Sequence, residues 1–141
     1  FGGKITTARH LAEEAIGKLG RAAHWKTRAA TRSEFLPGGN LQQGFDVFLE
    51  NVRTRWPFLG EARSERMARA YGTLLMQMLA DVRQASDLGE DFGAGLTEIE
   101  VNWLTHHEWA QDIEDILWRR TKFGLALSDK QKNRLAAYLK A

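Results

Sequence analysis

The sequence of 141 residues is long enough for one compact domain with a hydrophobic core, but too short for separate nucleotide-binding and substrate-binding domains. The absence of cysteine excludes a disulfide framework and a thiolate metal site, and it fits a reducing, intracellular compartment. Residues 1–36 carry seven lysines and arginines against three glutamates, a net charge of +4, which leaves −2 of the total +2 for the remainder. This uneven charge argues against a nucleic-acid-binding module that extends over the whole chain.

The first predicted element is a helix over about residues 7–19. Thr6 or Thr7 is its candidate N-cap, and Gly20 is its expected end. Its apolar residues recur at helical spacing: Leu11, Ala12, Ala15, Ile16 and Leu19. Residues 21–42 show no sustained period and contain the segment FLPGGN, which predicts a long connector.

Three helices are predicted after the connector. The first carries an apolar stripe of Phe45, Phe48, Leu49, Val52 and Trp56, and Pro57 should end it. The second spans about residues 61–71, with Ala62, Met67 and Ala70 facing inward. The third spans about residues 73–83. We expect these three helices to pack on one another.

The rest of the chain predicts a glycine-rich loop and three more helices. The loop is DLGEDFGAG, and Thr97 with Glu100 then forms a candidate capping box for the next helix. A further helix is predicted to carry Trp109, Ile113, Ile116 and Leu117. Ser128 with Gln131 predicts the capping box of the last helix. The sequence therefore indicates an all-α fold, a small bundle of five to six short helices with a long N-terminal connector.

Catalytic motifs of the ordinary kinds are absent from the sequence, and two charged clusters have structural explanations. His106, His107 and Glu108 are neighbours on a predicted helix, so they point about 100° apart and do not converge on one metal ion. Asp115 precedes Arg119 by four residues and Arg120 by five, a spacing that favours a structural ion pair over a catalytic dyad. The five tryptophans are interpreted as core residues rather than as stacking platforms for bases.

The opening segment FGGKITT has the composition of an anion site. Gly2 and Gly3 allow a ligand to approach the backbone, and Lys4 supplies a positive charge. The helix that starts at Thr6 or Thr7 directs unpaired N–H groups toward whatever lies in front of it. The alternative, left open by the residues alone, is a glycine turn followed by a solvated lysine.

The order of several segments resembles the C-terminal end of FAD-dependent, aerobic glycerol-3-phosphate dehydrogenases and the related glycerophosphate oxidases. The most specific segments are GGKITTAR, the helix that ends in HEWA, and DILWRRTKFGL, while the connector matches only loosely. The resemblance implies that residues 1–36 are the tail of a flavin domain and that residues 37–141 form a helical cap. It also implies that the chain is a piece of a longer enzyme and is not catalytic by itself.

The resemblance further implies a role for the opening segment in that longer enzyme. Gly2, Gly3, Lys4, Thr6 and Thr7 are expected at the pyrimidine end of the isoalloxazine ring of FAD, where Lys4 also approaches substrate. Glycerol 3-phosphate would be oxidised to dihydroxyacetone phosphate, with quinone or oxygen as the electron acceptor. The alternative function is a free-standing helical interaction module whose front loop binds an anion or a partner helix.

The sequence and the family resemblance also lead to expectations about the location and the partners of the chain. The longest apolar stretch, TLLMQMLADV, is too short to cross a bilayer, and the chain opens without a secretory leader. We therefore expect a cytoplasmic fragment with no membrane contact of its own, no metal and no bound cofactor. The resemblance implies that the parent enzyme works at the cytoplasmic membrane surface and that the flavin and substrate domains are the partners of this fragment.

Overall fold

The computed structural model describes residues 4–140, and the chain divides into two compact units, residues 1–40 and 41–141. The division falls four residues beyond the predicted boundary after residue 36, just past the LPGG segment. Six α-helices and one short hairpin lie in the described residues. The predicted all-α class is confirmed.

The first unit is a single helix with a connector that folds back onto it. A 3-10 turn over Ile5–Thr7 leads into α1 (Ala8–Ala22), which ends two residues later than Gly20. The backbone N–H of Thr31 donates to Glu13 Oε1 at 3.2 Å, and Arg9 donates to the Thr31 hydroxyl at 3.2 Å. The connector is therefore attached to α1 by polar contacts rather than by an apolar core.

The second unit begins with α2 (Phe45–Arg55) and α3 (Gly60–Tyr71). Pro57 follows α2 at the start of a 3-10 turn, as predicted. The inward face of α3 is Ser64, Met67, Ala68 and Tyr71. Ala62 and Ala70 are exposed, so their predicted inward orientation is wrong.

The helix predicted over residues 73–83 forms only in its first half. A 3-10 turn over Gly72–Leu74 leads into the four-residue helix α4 (Leu75–Met78), and the predicted continuation to residue 83 is wrong. Gly72 leaves α3 with φ +51° and ψ −136°, which changes the direction of the chain. Trp56 Nε1 then donates to the carbonyl of Val82 at 3.2 Å. Beyond α4 the backbone continues in short turns, with the N–H of Leu79 donating to Leu75 and the N–H of Val82 donating to Leu79, and the contact from Trp56 holds the end of this segment.

The predicted glycine-rich loop contains a two-stranded antiparallel hairpin, β1 (Asp91–Gly93) and β2 (Leu96–Thr97). Asp91 pairs with Thr97 and Gly93 pairs with Leu96. Gly93, Ala94 and Gly95 all have positive φ, which closes the turn. Phe92 and Leu96 are fully buried, so the hairpin is part of the core.

Helix α5 (Glu98–His107) starts where the sequence predicts, but the predicted capping box is not formed. Thr97 makes no side-chain hydrogen bond to the helix. Its Oγ1 is buried without a partner among the described residues. The Glu100 carboxylate, the expected second half of the box, is engaged by other side chains.

The helix predicted to carry Trp109 begins later than expected. Trp109 has φ +54°, a left-handed conformation that no continuing helix accepts. A π-helical segment over Asp115–Arg120 follows and places Ile116 and Leu117 in the core. Helix α6 (Asp129–Tyr138) completes the unit, and the predicted Ser128–Gln131 capping box is present.

One apolar core runs through the second unit. Its largest fully buried apolar side chains are Trp56, Met67, Leu75, Leu79, Phe92, Leu96, Leu104, Ile116, Leu117 and Leu135. Trp56 and Trp103 are buried, whereas Trp25, Trp109 and Trp118 are 66%, 78% and 37% exposed. The interpretation of all five tryptophans as core residues is therefore wrong for three of them.

Candidate functional site

The opening segment is described from Lys4 onward; Gly2 and Gly3 lie outside the described residues. Lys4, Thr6 and Thr7 are exposed. The Thr7 hydroxyl donates to the Lys4 carbonyl at 3.0 Å, and the Thr7 N–H donates to the same oxygen at 2.9 Å. Thr7 stands at the N-cap position of α1 but makes no side-chain capping bond. Its hydroxyl therefore fixes the turn after Lys4, and the N–H of Ala8 donates to the carbonyl of Ile5, so the 3-10 turn continues directly into α1.

The side chains of Asp115, at the start of the π-helical segment, and Arg119, near its end, lie next to each other. Arg119 Nη1 is 2.6 Å from Asp115 Oδ1 and 3.6 Å from Asp112 Oδ1. The backbone N–H of Gln111 donates to Asp115 Oδ2 at 2.8 Å. This N–H and then Arg119 lower the pKa of the Asp115 carboxyl, and Asp115 raises the pKa of Arg119.

Arg120 does not share this ion pair, contrary to the expectation from its spacing. Its Nε donates to the backbone carbonyl of Glu108 at 2.7 Å, and one Nη lies 3.5 Å from the carbonyl of Trp109. Arg120 therefore holds the chain reversal at Trp109 in place, because it donates hydrogen bonds to backbone carbonyls that lie beyond the end of α5.

The histidines of α5 have local partners. His106 Nδ1 is 2.7 Å from the carbonyl of Asn102, and the ring of His107 stacks on Trp103 with centroids 4.1 Å apart. No group of three or more histidines, aspartates and glutamates in residues 4–140 is arranged to hold a metal ion.

A buried polar cluster that the motifs did not predict joins α3 to α5. Glu100 has no exposed surface. Arg66 Nη1 and Nη2 donate to its two carboxylate oxygens at 2.6 and 2.7 Å, and the Tyr71 hydroxyl donates to Oε1 at 2.7 Å. Arg66 also donates to the carbonyl of Gly95 at 3.2 Å and lies 4.8 Å from the centroid of the Phe123 ring. The cluster thus connects two helices, the hairpin and the segment after the π-helix.

Burial and charge both act on the titration of this cluster. Burial, followed by the nearby Glu100 carboxylate, raises the pKa of Tyr71 strongly. Burial alone would lower the pKa of Arg66, but the hydrogen bonds and charge of Glu100 outweigh it, so that pKa is raised. Tyr71 therefore stays a neutral hydrogen-bond donor and Arg66 stays a cation.

The sequence does contain a signal for the buried position of Glu100. Glu100 precedes Trp103 and Leu104 by three and four residues, so all three lie on the same face of α5, and both apolar residues are in the core. A carboxylate on an apolar stripe needs a buried cationic partner. The position of that partner, 34 residues earlier, could not be read from local spacing.

The cluster forms one wall of a cavity of about 420 Å³ in the second unit. The cavity is lined by Arg66, Ala70, Tyr71, Glu100, Glu108, Arg120, Thr121, Lys122, Phe123 and Ala126. Most of these residues come from α3 and from residues 120–126, at and after the C-terminal end of the π-helical segment. The sequence alone indicated none of this grouping.

None of the helices in the described part of the chain combines the length and the apolar character that crossing a bilayer requires.

The comparison with known proteins places these observations in a family. A sequence family described as the C-terminal domain of alpha-glycerophosphate oxidase matches residues 29–140. A glycerol-3-phosphate dehydrogenase of Pseudomonas aeruginosa is 45% identical over 141 residues, which are 100% of this chain and 28% of that protein. An aerobic glycerol-3-phosphate dehydrogenase of Escherichia coli K12 is 41% identical over 139 residues, 99% of this chain and 28% of the relative.

A third relative carries a different printed name. A D-erythritol 1-phosphate dehydrogenase of Brucella abortus is 34% identical over 133 residues, 94% of this chain and 26% of its own length. The chain thus spans little more than a quarter of the length of these curated relatives. Since the family match covers most of the chain, this protein belongs to the family of the C-terminal domain of alpha-glycerophosphate oxidase.

Proposed function

We propose that this chain is the C-terminal part of a FAD-dependent glycerol-3-phosphate dehydrogenase that oxidises glycerol 3-phosphate to dihydroxyacetone phosphate in glycerol metabolism. The observation that carries the proposal is the 45% identity to a glycerol-3-phosphate dehydrogenase over the full 141 residues. The identity to the D-erythritol 1-phosphate dehydrogenase is lower, at 34%. These values favour glycerol 3-phosphate as the substrate of the parent enzyme.

The chain by itself is proposed to be non-catalytic. Helices and one short hairpin make up the regular structure of residues 4–140, and a dinucleotide such as FAD needs a parallel sheet with a glycine-rich turn. The hydride transfer of the parent enzyme is therefore assigned to residues outside these 141. The flavin and substrate domains of the parent are the proposed partners of this chain.

Within the parent, residues 1–36 are proposed to complete the flavin domain. FAD would supply the two-electron redox chemistry, and Gly2, Gly3, Lys4, Thr6 and Thr7 would lie near the pyrimidine end of its ring. The exposed Lys4 and the positive dipole end of the helical segment that starts at Ile5 support this assignment, because both favour negative charge in front of them. Leu11, Ile16 and Leu19 are each more than half exposed, which fits a helix whose apolar face packs on a preceding domain.

The cellular setting is proposed from the same relatives. The parent enzyme works in the cytoplasm or peripherally at the cytoplasmic membrane and passes electrons to quinone or oxygen. The exposed apolar residues of the 15-residue α1 are assigned to packing on the flavin domain, so membrane contact is assigned to the rest of the parent.

A chimera tests the proposal. The 141 residues replace the matching segment of the Pseudomonas aeruginosa relative, and the purified protein is assayed for flavin absorbance and for dye reduction by glycerol 3-phosphate. We expect a yellow, active chimera, a colourless and inactive 141-residue chain, and no activity for the relative with the segment deleted. Flavin bound to the isolated chain, or a folded chimera without glycerol 3-phosphate oxidation, would contradict the proposal.

A further inference from the structure

The cavity beside the Arg66–Tyr71–Glu100 cluster has the size and the lining of a small-molecule site. Its volume of about 420 Å³ lies within the usual range for ligand pockets, about 300–1,000 Å³. Phe123, Ala70 and Ala126 supply apolar surface, and the ring of Phe123 is largely buried. Such a lining favours a ligand with an apolar group.

The charges of the cavity are not balanced. Glu100 is neutralised by two hydrogen bonds from Arg66 and one from Tyr71. Three further charged side chains line the cavity, namely Glu108, Arg120 and Lys122. They leave the cavity with a net charge of about +1, because two cations face one carboxylate.

The two cations are held in place by the backbone and still have donors to spare. Arg120 Nε donates to the carbonyl of Glu108, and Lys122 Nζ donates to the carbonyl of Trp118. An ammonium group has three donors and a guanidinium group has five. Arg120 Nη1 has no acceptor among residues 4–140. Both side chains are therefore positioned for a second acceptor that the described chain does not provide.

We propose that this cavity binds a small organic oxyanion, a carboxylate or a phosphate monoester that carries an apolar group. Arg120 and Lys122 contact the oxyanion, because charge-assisted hydrogen bonds to oxyanions are the strong ones. The apolar group lies against Phe123 and the two alanines. The site is separate from the opening segment that the proposed function assigns to FAD, and it does not depend on that assignment.

Isothermal titration of the 141-residue chain tests the proposal, with phenyl phosphate and benzoate as the two oxyanion probes. Inorganic phosphate lacks the apolar group, and benzylamine carries the opposite charge. We expect at least one aromatic oxyanion to bind at least 10-fold more tightly than inorganic phosphate and benzylamine to give no binding. Comparison of the two aromatic probes decides between phosphate and carboxylate.

Two variants locate the site, and one variant is a matched control. Lys122→Gln removes a cation of the cavity and should weaken binding about 10-fold. Lys130→Gln removes an exposed lysine of α6 that does not line the cavity and should leave binding unchanged. Ala126→Phe fills the cavity from an exposed position and should abolish binding while the thermal transition stays the same.

Two results of the titrations overturn the proposal directly. One is failure of both aromatic oxyanions to bind, and the other is equal affinity of the Lys122→Gln and Lys130→Gln variants for the aromatic oxyanion. Binding of inorganic phosphate as tightly as the better of the two aromatic oxyanions also overturns it, because the apolar wall then contributes nothing. If Ala126→Phe unfolds the protein, the Lys122→Gln and Lys130→Gln pair decides the matter alone.

Discussion

At the scale of single residues, the Glu100 carboxylate is a charged group without exposed surface, so its burial requires compensating partners. An ionised carboxylate without partners is very costly in an apolar interior. Arg66 and Tyr71 offset this cost with three hydrogen bonds of 2.6–2.7 Å. Because Arg66 and Tyr71 both lie on α3, the pairing also fixes the position of α5 against that helix.

Removal of the Glu100 charge should therefore destabilise the protein. Glu100→Gln leaves the Arg66 cation without its counter-charge, and we expect the free energy of unfolding to fall by about 3 kcal/mol, the low end for a broken buried pair, since Arg66 reaches the surface. The measurement is urea unfolding followed by circular dichroism. Glu65→Gln breaks an exposed i,i+4 pair with Arg69 and should cost less than about 0.5 kcal/mol.

A double-mutant cycle checks the assignment to this pair. Arg66→Met combined with Glu100→Gln should cost about 1–2 kcal/mol less than the sum of the two single variants, because the second change removes the uncompensated charge. Additive effects, or equal losses for Glu100→Gln and Glu65→Gln, would show that the pairing does not hold α3 and α5 together.

At the scale of secondary-structure elements, the hairpin turn and the start of α6 are fitted to each other. Gly93 has φ +116°, a conformation that glycine adopts far more easily than other residues. A Cβ at this position would overlap the amide group of Gln131. Gln131 in turn accepts hydrogen bonds from the N–H and hydroxyl of Ser128 at 2.9 Å, which starts α6. The absence of a side chain at Gly93 therefore protects a helix cap.

Gly93→Ala should cost more than backbone strain alone. We expect about 2–3 kcal/mol, from the strained φ together with the loss of the Ser128–Gln131 cap. Gly44→Ala is the matched control, since Gly44 has φ +84° and a Cβ there would have no neighbour within 4 Å. Its ψ is 168°, so backbone strain is its main cost, and we expect about 1 kcal/mol, the low end for a strained position. The measurement is thermal unfolding of both variants. Equal losses of stability would contradict the coupling between the hairpin turn and the cap of α6.

The elements that the sequence predicted well are those with local signals. The stripe from Phe45 to Trp56 and the following Pro57 define α2, and Ser128 with Gln131 defines the start of α6. In these cases spacing, breaker and cap all lie within a few residues of one another. The all-α class followed from the same signals.

The elements that the sequence missed depend on distant contacts. Leu75 and Leu79 continue a helical pattern, yet the chain turns because Val82 is held by Trp56. The hairpin is only five residues of paired strand and is stabilised by the burial of Phe92 and Leu96. The left-handed conformation of Trp109 and the cavity could not be predicted from local spacing. Both involve Arg120, which donates hydrogen bonds to backbone carbonyls eleven and twelve residues earlier in the chain.

At the scale of the whole molecule, the two units differ in how they bury apolar surface. The second unit has a continuous core, whereas Gly20 is the one buried residue among the described residues 4–40. A 15-residue helix without a packed apolar face is marginal in water. The first unit therefore has the properties of a segment that completes a neighbouring domain, which agrees with its proposed place at the end of a flavin domain.

If residues 1–36 have that proposed place, Lys4 lies close to the flavin of the parent enzyme. A cation near N1 and O2 of the flavin stabilises the anionic reduced form more than the neutral oxidised form. In the full-length parent, Lys4→Ala should therefore lower the flavin reduction potential by about 30–60 mV, the equivalent of one charge-assisted hydrogen bond, and slow anaerobic flavin reduction by glycerol 3-phosphate. Thermal stability should hardly change, because Lys4 is exposed. Lys18→Ala, which breaks a surface pair with Glu14 on α1, is the control and should change neither value. If Lys4→Ala matches that control in both potential and rate, the opening segment is a turn and the flavin contact lies elsewhere in the parent.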